Sequence, residues 1–399
     1  MIPPQSKLAA FDGLRGIAAV VVLIHHLRLT FYASSAAEME KQFAGLPWPV
    51  ARLFRATFEG LCNGTFAVWV FWVMSAFVLS LQFFMRARAS SSSSAHDYLE
   101  NAALRRYPRL LIPVFVSVML AYGLHATGLM YNQELAHKFG PPYEPGWLSY
   151  WYEFVPGFWD AFKSAIWRSF FNYDLSRTYN NVLWTMEAEF FGSLFLFSFL
   201  GLFGHRKCRW FLYPVLALCI FKLHLQWLET FLGGIILCDL FVNGRGAYSS
   251  LKFLRNAIDP IRKSPIVAGM IWLAVITLAG FPNYQNILYA VLACIVVGLT
   301  LLSLSTQRVF SAATPAFLGR ISFGMYLIHT PIICSFSCWA YLKTVRFLGH
   351  DVAAISVSLG TCLVSVLAGF CLSAWVDRPS IAVSRWLSAK LMRVSGRPL

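Results

Sequence analysis

Apolar residues run through this chain in stretch after stretch of about twenty with few charges, the length a helix needs to cross the hydrocarbon core of a bilayer. Ten segments meet that length, some narrowly: residues 14–32, 64–84, 110–130, 182–203, 210–225, 227–242, 266–281, 286–305, 321–341 and 353–375. The fifth and sixth are short and joined by almost nothing. Backbone groups in lipid must be satisfied within the segment, so the expected class is all-α. The expectation is one polytopic integral membrane helical bundle over residues 1–399, with about ten transmembrane helices and both termini cytoplasmic. Composition excludes a soluble alternative, because 13% of residues are charged where soluble domains carry about a quarter. No small-residue cleavage signature follows the first apolar run, so the first helix is expected to be retained. The nine cysteines are an odd number and mostly fall inside apolar segments without zinc-type spacing. Neither a disulfide framework nor a metal site is expected.

A net charge of +15 would suggest nucleic acid in a soluble protein. In a membrane protein it suggests cytoplasmic loops, and no nucleic-acid partner is expected. With the N-terminus inside, the inner segments hold 22 Lys and Arg against five acids, whereas the outer loops hold nine of each. Such an inner excess suits membrane lipid headgroups or an anionic cosubstrate. The inner stretch 86–109 combines a serine run at 90–94, read as a hinge, with a basic run ending at Arg109. The outer stretch 131–181 is long and rich in Trp, Tyr and Phe. It reads either as a lid over a cavity or as an aromatic belt at the interface. Residues 376–399 read as a basic cytoplasmic tail.

Ionisable groups inside a span are costly and are functional candidates by default. Arg15 and His26 are eleven residues apart, close to three whole turns, so they share a helix face about 16 Å apart along the axis. A ligand with an anionic head and a long arm would touch both. His25 is turned about 100° away and reads as a packing histidine. Asp12 stands where an N-cap is expected. Arg106 and Arg109, with Arg105 beside them, share a face at the start of the third helix and suit bidentate phosphate binding, or simply set topology. Glu187 and Glu189 open the fourth span facing different ways, so one of them faces a polar cavity. Ser322, Tyr326 and His329 form a polar stripe on the ninth, read as core hydrogen bonding or as function. Pro331, just beyond, should free a backbone carbonyl inside the membrane.

Four segments carry a resemblance. They are Phe11-Asp12-Gly13-Leu14-Arg15-Gly16-Ile17-Ala18-Ala19 leading to His26, Arg106-x-x-Arg109-Leu110, Leu183-Trp184-Thr185-Met186-Glu187-Ala188-Glu189-Phe190, and Leu318-Gly319-Arg320-Ile321-Ser322 through His329. Together, in this order, they resemble the membrane-bound acyltransferase-3 family and look most like its fungal branch. Thr185-Met186-Glu187 stands where bacterial members usually show a Ser-Val-Glu-type segment, which leaves open which glutamate takes the acidic position. The resemblance implies transfer of an acyl group, with acetyl expected, from cytoplasmic acyl-CoA to a hydroxyl of a glycan, lipid or small natural product. Acyl-CoA would then be a cosubstrate, with no bound cofactor, and a eukaryotic member would sit in an endomembrane of ER or Golgi type. It further implies His26 as general base, with Glu187, Glu189 and His329 as other catalytic candidates. Arg15, Arg106, Arg109 and Arg320 would hold the donor, and Asp12, Ser322 and Tyr326 would meet substrate. A secondary transporter of an anionic or proton-coupled solute is the alternative, disfavoured by the lack of an inverted repeat and of paired broken helices in the sequence.

Overall fold

The computed structural model describes residues 5–32, 47–89, 92–139, 146–244, 252–281 and 287–394. Among the described residues every regular element is helical. Seven helices position the site: α1 (Gln5–Phe31), α2 (Gly64–Ala89), α3 (Ser92–Ala126), α4 (Trp184–Phe203), α5 (Ala313–Ile332), α6 (His350–Leu372) and α7 (Arg378–Val394). Central α1 packs most heavily against α5 and then α2, α5 leans on α6, and α7 runs back along α3.

Six helical stretches are long and apolar enough to cross a membrane, and each of two bent pairs adds one more if counted as a single span. The chain is therefore a multi-pass helical membrane protein with six to eight candidate spans among the described residues, against the ten expected. Segments 210–225 and 227–242 do form helices, Arg209–Lys222 and Gln226–Asn243. The first has 14 residues and rises only about 21 Å, short of a core about 30 Å thick. The second carries Glu229 and Asp239 within its length. In the bent pairs, Asn256–Lys263 meets Pro265–Ala279 at 92°, and Ile287–Leu302 meets Leu304–Phe310 at 93°. Each bend is a fresh helix start, where Ser264 accepts from the N–H of Val267 and Ser303 from that of Thr306. Pro265 adds a first-turn residue with no N–H to satisfy.

Glycines set the central crossing. A Cβ on Gly16 would stand 2.4 Å from the backbone nitrogen of Gly319, and one on Gly319 would stand 2.0 Å from the carbonyl oxygen of Asp12. Only bare backbone lets α1 and α5 approach this closely. Because α1 starts at Gln5, Asp12 lies about two turns inside it, which overturns the N-cap reading; its carboxylate accepts from Arg15 at 3.3 Å. Of the serine run, Ser92 already begins α3, while residues 90 and 91 lie outside the described residues.

The freed carbonyl is there. Pro331 has no N–H to offer Leu327, and the side-chain amide of fully buried Asn180 donates to the Leu327 oxygen at 2.7 Å. Asn180 belongs to the outer stretch 131–181, of which 140–145 lie outside the described residues. The rest is a folded layer of short helical turns. Asn132 ties it together by donating to the carbonyls of Leu148 and Trp151, both at 2.8 Å. Tyr152 takes the left-handed φ of 64° and donates its hydroxyl to Tyr179 O at 2.8 Å. Burial pushes that phenol well above the ordinary tyrosine range, so it remains a donor. Replacing Asn180 with leucine should remove the partner of the Leu327 oxygen and cost about 1–3 kcal/mol. Thermal unfolding in detergent checks this, and an unchanged midpoint would remove the staple from the account.

The stretch 376–399, expected as a tail, is helical through Val394, with 395–399 outside the described residues. α6 continues through a π turn, Ser373–Asp377, into α7. Ser380, Ser384 and Ser388 recur once per turn and are all buried. These small side chains let α7 lie close along α3, where the Ser388 hydroxyl donates to Asn101 at 3.4 Å.

Candidate active site

The mouth of a cavity of about 430 Å³ opens between α1, α2, α3, α4, α5 and α7. Six arginines line it, namely Arg15, Arg105, Arg106, Arg109, Arg320 and Arg385, against two acids, Glu189 and Asp377. Such an imbalance in a low-dielectric wall favours an anion. Arg15, its side chain 41% exposed, is only loosely held by Asp12. Arg109 stands 3.9 Å from Asp377, too far for a hydrogen bond. Arg320 lies over the ring of Phe317 at 5.8 Å.

Arg106 lines the cavity with Arg109, as their shared face predicts, but it is already engaged. It is buried and forms an ion pair with Glu189, while the Ser75 hydroxyl donates to the same carboxylate oxygen. A buried carboxylate needs such donors. The geometry thereby separates the two glutamates, since Glu189 lines the cavity and Glu187 does not. Asp12 is not on the cavity wall either; it meets the cavity only through Arg15. Ser322 and Tyr326 do line it, and each is satisfied, Ser322 donating to Gly319 O at 2.8 Å and Tyr326 to Val182 O at 3.0 Å. The stripe thus makes core hydrogen bonds and also faces the cavity.

The two histidines meet. His329 Nε2 lies 2.9 Å from His26 Nδ1. His329 Nδ1 faces the carbonyl oxygens of Tyr326 and Met325, at 2.8 and 3.3 Å, which can only accept. In the neutral pair that nitrogen must carry the proton, so His329 Nε2 accepts and His26 Nδ1 donates. What remains is His26 Nε2 with its lone pair unused. His329 is 1% exposed, whereas His26 keeps partial exposure. His25 is the packing residue expected, since its Nδ1–H donates to Cys62 O at 3.0 Å.

Neither histidine touches the cavity directly. Tyr326 stands between, its ring 5.9 Å from that of His329. On the other side of His26 lies Trp147, 5.1 Å away ring to ring, so the outer layer does reach over the histidine pair. α1 thus brings Arg15 to the arginine-lined cavity and His26 to the boundary between that cavity and the outer layer.

Sequence reasoning missed four residues of this arrangement: Ser75, Asn180, Asp377 and Arg385. Ser75 was one hydroxyl in an apolar run and Asn180 one amide in a loop. The serine repeat of α7 was a visible signal for Asp377 and Arg385.

The sequence was compared with known proteins. The "Acyltransferase domain" family, acyltransferase-3, matches residues 8–374. An O-acetyltransferase, PaAT-1, of Phomopsis amygdali is 25% identical, the alignment covering 97% of this chain and 86% of that protein. Acyltransferase clz18 of Cochliobolus lunatus is 22% identical, with 90% of each chain covered. No solved structure matches. A family match spanning nearly every helix, on a chain whose motif residues converge on one cavity and one histidine pair, makes this protein a member of the membrane-bound acyltransferase-3 family.

Proposed function

We propose that the protein is an O-acyltransferase that moves an acyl group, acetyl by analogy with the Phomopsis amygdali relative, from acyl-CoA to a hydroxyl of a small natural product, lipid or glycan. One observation carries this reading: an arginine-lined cavity reaches Tyr326, and behind it His26 donates its Nδ1–H to His329 and keeps Nε2 unprotonated. The arginines hold the donor phosphates at the mouth, and a shift of the Tyr326 side chain joins the cavity to the histidines. His26 Nε2 takes the proton of the acceptor hydroxyl as its oxygen attacks the thioester carbonyl carbon. As the carbon–sulfur bond breaks, the thiolate of CoA leaves and recovers that proton from His26. His329 accepts the Nδ1–H of His26 throughout, which fixes the tautomer and spreads the transient positive charge. Arg106 and Ser75 hold Glu189 in the cavity wall, a positioning role for Arg106 rather than a phosphate contact.

We place both termini in the cytoplasm, on the inner excess of Lys and Arg, and, for a eukaryotic chain like its fungal relatives, the protein in an endomembrane of ER or Golgi type. The acceptor then approaches His26 from the outer layer under Trp147 or laterally from the bilayer. In sealed vesicles of known orientation, acyl-CoA should support reaction only from the face that carries the C-terminus. Equal rates from the opposite face of intact vesicles would overturn the route.

The two bent pairs favour a second reading, a secondary transporter, because broken helices build many transport sites. Neither Asn256–Lys263 nor Leu304–Phe310 contributes to the cavity wall. Release of CoA thiol by purified protein supplied with acetyl-CoA and acceptor supports the enzyme, whereas solute flux without thiol release supports the transporter.

A further inference from the structure

α7 lies beyond residue 374, where the family match ends, yet it builds part of the cavity. Ile381, Ser384 and Arg385 stand three and four residues apart on one face and line it. The buried serines fix that face. Ser388 donates to Asn101 of α3, whose amide in turn donates to Met392 Sδ at 3.4 Å, so α7 is pinned at two successive turns. Asn101 also accepts, through its backbone oxygen, the Nε–H of Arg105 at 3.2 Å. Docking α7 on α3 therefore puts Arg385 on the same cavity wall as Arg105. Among the described residues neither has a carboxylate partner, unlike Arg15, Arg106 and Arg109. Two guanidinium groups without a carboxylate partner on one cavity wall repel each other, and an anion bound by both relieves that repulsion.

Position decides which anion. If the cavity takes acyl-CoA, as proposed above, the thioester must point inward to Tyr326, and the group farthest from it along the molecule sits farthest out. That group is the 3′-phosphomonoester on the ribose. Arg385 is exposed at the rim, whereas Arg106 is buried deeper in the wall. We infer that Arg385, with Arg105, binds the 3′-phosphate of the donor, so that a helix outside the family match makes this enzyme select full CoA over a donor lacking that phosphate.

The test compares acetyl-CoA with acetyl-3′-dephospho-CoA on the same detergent-purified preparation. A ratio of two donors does not depend on the fraction of protein that is folded. The wild type should show a KM lower by about 10-fold to 100-fold for acetyl-CoA, the range of a charge-assisted contact. Arg385→Gln should collapse that ratio toward one, mainly by raising the acetyl-CoA KM, and Arg385→Lys should keep part of it, since a point charge lacks the fork. Two results overturn the inference: a wild type indifferent to the 3′-phosphate, or an Arg385→Gln protein that keeps the wild-type ratio. A rise in both KM values with the ratio intact also counts against it, showing that α7 only supports the wall or meets a lipid headgroup. No turnover of either donor by wild type, by contrast, overturns the acyl-CoA reading itself and this inference with it.

Discussion

His26→Ala should lower acyl transfer by about 10²–10⁴-fold, the usual contribution of a positioned base, with expression, detergent elution and thermal midpoint close to wild type. The unused Nε2 lone pair of His26 is the group lost; His329 beside it has both nitrogens engaged, and His25, its ring 5.5 Å away, is turned to donate to Cys62 O. His329→Ala should give a smaller loss and a different signature. Without the His329 acceptor the His26 ring is held less firmly, its two tautomers should mix, and the pH profile of kcat should move because the imidazolium loses a neighbour that shares its charge. A His26→Ala protein with near-normal turnover, beside an inactive His329→Ala protein, would reverse the roles assigned to the pair.

Breaking the Arg106–Glu189 pair should be the most damaging change to the fold. Removing one member leaves the other charge buried and uncompensated, a cost of about 3–5 kcal/mol, so Arg106→Ala and Glu189→Ala should each cut the yield of folded protein and lower the thermal midpoint sharply. The double replacement Arg106→Met with Glu189→Met removes both charges and should recover much of the stability. It should not recover transfer, because the cavity wall then lacks its ordered polar edge. Glu187→Gln, at the carboxylate off the cavity wall, should be nearly silent in both assays. Additive losses in the double variant would show that the two residues do not act as a pair.

The parts of this site that follow from helix geometry were legible in the sequence. Arg15 and His26 share a face because eleven residues make three turns, and Pro331 frees the Leu327 oxygen because it has no N–H. One bend also left a local signal, the Ser264-Pro265 pair, a helix start that agrees with a span from 266; the other, at Ser303, falls inside the expected span 286–305. What stayed hidden depends on contacts distant in sequence. Nothing near Arg106 says that Glu189, 83 residues on, will claim it rather than a phosphate. Likewise His329 lies 303 residues from His26, and only the glycine crossing of α1 and α5 makes them neighbours. A tenth span was legible as apolar sequence, but its continuation as a cavity-forming helix depended on a buried serine edge finding α3.

The Asn180 contact ties the outer layer to chemistry at a distance of two residues. Leu327, whose oxygen it holds, precedes His329 on the same helical turn, and the oxygen of Tyr326, which fixes the His329 tautomer, is adjacent. An acceptor that lifts the outer layer must strip the Leu327 oxygen of its donor, or replace that donor with a group of its own. Arrival of the acceptor and the geometry of the histidine pair are therefore thermodynamically linked, and linkage is reciprocal. Whatever sets His329 in its working position raises the affinity for an acceptor bearing a hydrogen-bond donor there, and lowers it for one that has none.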